Sequence, residues 1–145
     1  MVILNGPNLN LLGTREPDVY GTDSLPELER QWVDFGHTHG VEVICIHSNV
    51  EGELINALQA HGFSAAAILF NPGGYTHTSV ALRDAIAAIA VPVYEIHISH
   101  PEAREEFRKT SLLREVCAGS VSGLGVAGYM LLLHALINAG SGVDS

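Results

Sequence analysis

The chain reads as an α/β fold, a doubly wound sandwich built on a parallel sheet. Three observations predict it. Apolar runs of strand length recur five times, they alternate with helical patterns, and they are near-continuously hydrophobic. Strands of that composition belong to a parallel sheet covered by helices on both faces.

The strand candidates are residues 2–4, 41–46, 65–70, 91–98 and 118–122. Between the first two, Ser24 and Glu27 have the spacing of a capping box, which opens a helix through about Thr38 that ends near Gly40. Ser48 can cap a second helix running to about His61, with Gly62 at its end. Thr78 or Ser79 can cap a third over residues 80–90. Pro101 suits the first turn of a short helix through Arg108. The last helix follows Gly123 and ends near Gly140. Five βα repeats give a flavodoxin-like sandwich with strand order 2-1-3-4-5, and residues 1–145 form one domain, since no linker, repeat or low-complexity tract divides them.

Composition narrows the function. The 145 residues are 47% hydrophobic and 16% charged, as in a globular protein. A net charge of −9 argues against nucleic acid, which needs a basic face. It also makes an anionic substrate depend on locally placed arginines. The two cysteines, Cys45 and Cys117, sit in apolar runs and read as buried thiols. The first apolar run lacks the basic start of a signal peptide. The most hydrophobic stretch, residues 124–139, is too short to span a bilayer and contains His134 and Asn138. A cytoplasmic protein is expected.

Ligands of open parallel sheets bind beyond the carboxyl ends of the strands. Polar and flexible residues gather at four such ends: 5–20, 47–49, 71–77 and 97–100. On the first loop, Arg15 and Tyr20 are flanked by Gly13 and Gly21. A guanidinium near a phenol favours the phenolate and turns a poor base into a usable one. A surface loop with an incidental aromatic has the same composition. Glu95 and His97, two apart on a strand, point to one face, so the carboxylate can hold the imidazole as a general acid or simply satisfy it in the core. The 71–79 loop opens a helix and offers backbone N–H groups to an anion, with Gly73 and Gly74 allowing close approach. His77 there can touch a ligand or cap the helix. Arg104 and Arg108 are one turn apart on the expected helix, with Glu105 and Glu106 as ordinary ion-pair partners.

Several classes lack a signature. The loop matches neither phosphate-binding glycine pattern, although a phosphate-binding module remains the runner-up. No serine elbow is present, and the eight histidines show no recognised metal spacing. The single lysine, Lys109, sits in a charged segment and suits imine chemistry poorly, so a carbonyl substrate would react by proton transfer.

Together these motifs resemble the type II 3-dehydroquinate dehydratases over essentially the whole chain. The resemblance rests on the run from Asn5 to Gly13 with Arg15 and Tyr20, the run from Asn71 to Ser79, the run from Glu95 to Ser99 continuing to Arg108, and the run from Gly123 to Tyr129. It implies dehydration of 3-dehydroquinate to 3-dehydroshikimate by anti elimination through an enolate, without metal, cofactor or Schiff base. It also implies a homododecamer, a tetramer of trimers. In the implied roles Tyr20 is the base, Arg15 the cation activating it, His97 the acid and Glu95 its positioner. Asn8 would help hold a water near the enolate. The backbone at Ile98 and Ser99 would hold the substrate carboxylate. Asn71, His77 and Arg108 would meet ring hydroxyls, and Asp84 would reach a neighbouring subunit's site. Arg104 would be structural or dock the loop. The stretch His100, Pro101, Glu102 departs from the family's usual pattern of Asn, an aliphatic residue and His.

Overall fold

The computed structural model describes residues 1–14, 18 and 22–140. The expected base and its cation, Tyr20 and Arg15, lie outside the described residues, as does Gly21.

Five strands form one sheet: β1 (Val2–Asn5), β2 (Ile44–His47), β3 (Ile68–Asn71), β4 (Val93–His97) and β5 (Gly119–Ser122). The order is β2-β1-β3-β4-β5 and each neighbouring pair is parallel. The order and parallel pairing agree with the sequence pattern. The central strands β1 and β3 are buried at every position, whereas the edge strands β2 and β5 are half-exposed.

Four helices with described bounds cover the sheet: α1 (Leu25–Thr38), α2 (Glu51–His61), α3 (Val80–Ala88) and α4 (Ala127–Gly140). Side chains alternate across a strand, and the core divides accordingly. Ile3, Leu69 and Ile96 pack on one face with Leu28 and Trp32 of α1 and Tyr129 and Leu133 of α4. Val2, Leu4, Ile68, Phe70 and Val93 pack on the other with Leu54 and Leu58 of α2 and Leu82 and Ile86 of α3. The Trp32 and Tyr129 rings stack at a centroid separation of 4.4 Å and tie α1 to α4. Among the described residues, no helix is long and apolar enough to cross a membrane.

The helix starts follow their sequence signals with two differences. Ser24 accepts from the Glu27 N–H, but its hydroxyl also donates to the Glu27 carboxylate, so the pair closes on itself rather than as a full reciprocal box. Ser48 lies two residues ahead of the N-cap Val50; it accepts from the Val50 N–H and donates to the Glu53 carboxylate. Ser79 caps α3 by accepting from Leu82 N–H.

The expected helix through Arg108 is not formed. Two 3₁₀ turns, Pro101–Ala103 and Glu106–Arg108, replace it, with Arg104 and Glu105 in non-helical conformations between them. The reason is the lack of a face to bury. Phe107 is the segment's large apolar side chain and it is 64% exposed, and most helical stability in a protein comes from packing such a face. Arg108 therefore sits on the second turn and Arg104 between the two, rather than both on one helical face. The strands also differ at their edges. β2 begins at Ile44 because Val41 N–H is spent on Gly36 O, closing the end of α1.

Candidate active site

A cavity of about 150 Å³ opens beyond the carboxyl ends of the strands, as expected for this topology. Its wall includes Asn8, Leu12, Asn71, His77, His97, Ile98, Ser99, Arg104 and Arg108.

The loop after β1 is set against the loop after β3. Gly6 N–H donates to Asn71 O at 2.8 Å, and a Cβ on Gly6 would fall 2.8 Å from Pro72 O, so only glycine fits. From there Asn8 takes a left-handed conformation at φ 71°, and its N–H donates to Asn49 Oδ1 at 2.9 Å. Asparagine tolerates that conformation better than most residues. This turn brings Asn8 to the cavity.

Asn71 ends β3, directly beside Asn5 in register. Its Nδ2 donates to the Tyr129 hydroxyl at 2.9 Å and its Oδ1 accepts from Gly73 N–H at 3.1 Å. The Tyr129 hydroxyl in turn donates to Asn5 Oδ1 at 2.6 Å. Burial drives the Tyr129 phenol pKa upward, against the hydrogen bond from Asn71, so it stays a neutral donor. His77, half-buried, places Nδ1 2.8 Å from Thr110 O.

The ionisable centre is at the end of β4. His97 Nε2 and Glu95 Oε2 are 2.6 Å apart, and both residues are buried. Ser111 donates to Glu95 Oε1 at 2.7 Å, and Arg114 donates to Oε2 at 3.1 Å. Burial alone would raise the Glu95 pKa. Hydrogen bonds from His97 and Ser111, with the charges of His97 and Arg114, outweigh it and hold that pKa below the ordinary carboxylate value. Glu95 is therefore the charged, orienting partner of the histidine. Because Nε2 is committed to Glu95, Nδ1 is the nitrogen left to face a ligand.

Past β4 the chain turns at Ile98 and Ser99, whose carbonyls accept from Gly125 and Gly123 N–H. Arg104 Nη1 lies 3.4 Å from Ser99 Oγ. Arg108 donates to Glu105 at 2.6 Å while lining the cavity. Lys109 pairs with Glu106 at the surface and is half-exposed, unlike a desolvated imine-forming lysine.

Of the site residues expected from sequence, the cavity wall unites Asn8, Asn71, His77, His97, Ile98, Ser99 and Arg108, with Glu95 directly behind His97. Asp84 is exposed on α3 and does not line this cavity. Sequence reasoning missed Ser111 and Arg114, which hold Glu95, and Asn5 and Tyr129, which fix Asn71. The first two lie in an irregular segment with no periodicity to mark them. The other two stood only as the ends of motif runs, with no role assigned.

The fold is a doubly wound α/β sandwich, and its site is a cavity at the strands' carboxyl ends with a carboxylate-held histidine in the wall. Comparison with known proteins agrees with that fold and gives the family. The Dehydroquinase class II family model matches residues 1–137. The 3-dehydroquinate dehydratase of Variovorax paradoxus is 50% identical over 142 residues, covering 94% of this chain and 97% of that one. The crystal structure of type II dehydroquinase from Butyrivibrio crossotus superposes with TM-score 0.89 at 39% identity, over 93% of this chain and 94% of that one. That from Propionibacterium acnes gives 0.91 at 33% identity, over 95% of each chain. The chain belongs to the class II dehydroquinase family. It is an enzyme of the type II 3-dehydroquinate dehydratase class.

Proposed function

We propose that the chain dehydrates 3-dehydroquinate to 3-dehydroshikimate by proton transfer, with separate base and acid. The observation that carries this reading is the buried Glu95–His97 pair in the wall of a cavity that also presents Asn8, Asn71, His77, Ser99 and Arg108.

The proton beside a ketone is weakly acidic, so its removal needs a strong local base and a stabilised enolate. Tyr20, activated by Arg15, takes that proton from C2. Asn8 helps hold a water near the developing enolate oxygen. His97, oriented by Glu95, protonates the C1 hydroxyl, which leaves anti to the lost proton as water. General acid and general base each contribute roughly 10²–10⁴-fold. Backbone N–H groups at Ile98 and Ser99 receive the substrate carboxylate, and Asn71, His77 and Arg108 meet the ring hydroxyls. With both Asn71 side-chain atoms engaged by Tyr129 and Gly73, its contact to a hydroxyl uses remaining lone-pair capacity or the main chain.

Asp84, exposed on α3, is free to reach the cavity of a neighbouring subunit in a homododecamer. We assign the activity to the cytoplasm and to aromatic biosynthesis or quinate use. Purified protein mixed with 3-dehydroquinate in the presence of a chelator should generate the ultraviolet absorbance of the conjugated product. No absorbance change would refute the reading.

A further inference from the structure

We propose that Arg114 is a positioning residue for the Glu95–His97 pair, sharing the carboxylate oxygen that binds the imidazole and thereby setting how firmly the pair keeps its proton. The inference rests on His97 acting as the acid.

Three observations carry it. First, Glu95 Oε2 is shared. It lies 2.6 Å from His97 Nε2 and 3.1 Å from Arg114 Nη2, so imidazole and guanidinium compete for one oxygen. Second, Arg114 is held in place from the far side. Its Nη1 donates to Glu102 Oε1 at 3.0 Å, on the Pro101–Ala103 turn. Third, the segment that carries Arg114 is docked on Glu95 itself. Ser111 donates to Glu95 Oε1 at 2.7 Å and accepts the N–H groups of Leu113 and Arg114 at 3.1 Å each, while Leu113 is fully buried beneath. The backbone that carries the guanidinium is therefore anchored to Glu95 through Ser111.

The electrostatic consequence has a definite sign. A lone buried carboxylate stabilises an adjacent imidazolium and makes it a reluctant acid. A cation on the same oxygen withdraws part of that stabilisation, so the pair releases its proton to a leaving hydroxyl more readily. Among the described residues, the groups facing the pair are Ser111, Arg114 and Cys117 on the segment before β5, Glu102 behind Arg114, and His77, Arg104 and Arg108 around the cavity. Cys117 stays a neutral thiol, because burial pushes it up to about 12. Among the described residues, Arg114 is the arginine bonded directly to the carboxylate.

The test uses full-length protein with ¹⁵N-labelled histidine, as Arg114→Gln and Arg114→Lys, with His97→Asn to identify the His97 ring signals. The ring-nitrogen shifts and kcat are followed against pH, and amide spectra confirm the fold. In Arg114→Gln the midpoint of the His97 signal should move up by roughly one pH unit, the alkaline limb of kcat should follow it, and KM should hold. Arg114→Lys, which keeps the cation, should return both toward the native positions. An unmoved midpoint in Arg114→Gln overturns the proposal, as does a lysine variant displaced as far as the glutamine one. A midpoint that moves while the kcat limb stays fixed supports the hold of Arg114 on the pair and instead removes His97 from the acid role.

Discussion

Asn71 and Tyr129 stand 58 residues apart in sequence and meet through a 2.9 Å hydrogen bond, the asparagine amide donating to a phenol that has no exposed surface. The bond joins the end of β3, at the wall of the cavity, to the first turn of α4. Tyr129 passes its own proton on to Asn5 at the end of β1. Three elements that converge on the site are fixed by one hydroxyl.

Tyr129→Phe removes that hydroxyl while keeping the stack on Trp32. It leaves Asn71 Nδ2 and Asn5 Oδ1 buried without it, and a lost partner of this kind costs about 1–3 kcal/mol. Urea unfolding should show a loss of that size. Turnover should fall less than in a variant of His97, because Tyr129 acts through Asn71 and not on substrate.

Glu95 makes stability depend on acid. Its pKa is held below the ordinary carboxylate value, after burial is outweighed by His97, Ser111 and Arg114. A depressed carboxylate pKa contributes stability that is fully present above the unfolded value of about 4.3 and is lost as pH falls toward the folded value. Native protein should therefore lose stability steeply below about pH 4.3. Glu95→Gln should start from a lower plateau and show a shallower acid limb, measured by urea midpoints across pH.

Cys45 and Cys117 are free thiols, each pushed up to about 12 chiefly by burial, with Glu29 adding to the shift at Cys45 and Glu95 at Cys117. The thiolate is the reactive form. Folded protein at pH 8 should resist iodoacetamide, and both thiols should label in denaturant, as read by mass spectrometry.

Lys109→Ala should retain turnover, since the ammonium is paired with Glu106 at the surface. Borohydride added during turnover should trap no substrate adduct on native protein. A reduced adduct on Lys109 would reinstate an imine route.

The strands and the polar edge of the sheet were legible because both follow from local patterns, whereas the strand order came with the flavodoxin-like type and from no local signal. Continuous apolar runs mark buried parallel strands, and polar residues at their carboxyl ends mark the ligand edge. The Glu95–His97 contact was legible for the same reason, as strand periodicity alone puts both on one face. Arg104 and Arg108 were misplaced on a single helix because spacing and Pro101 suggest one, whereas the segment has no buried stripe to hold it. Ser111, Arg114 and Tyr129 were invisible because their roles arise from contacts between distant segments. Ser111 and Arg114 reach Glu95 across 16 and 19 residues, and no local periodicity encodes such a meeting.

The division of labour between a base at C2 and His97 at the C1 hydroxyl is tested most directly by His97→Asn with substrate in D₂O. Solvent exchange at C2 and formation of product are followed together by NMR. Loss of the acid alone should slow dehydration by roughly 10²–10⁴-fold, while exchange at C2 continues through the enolate. Dehydration near the native rate, or exchange abolished in step with dehydration, would contradict His97 as the acid.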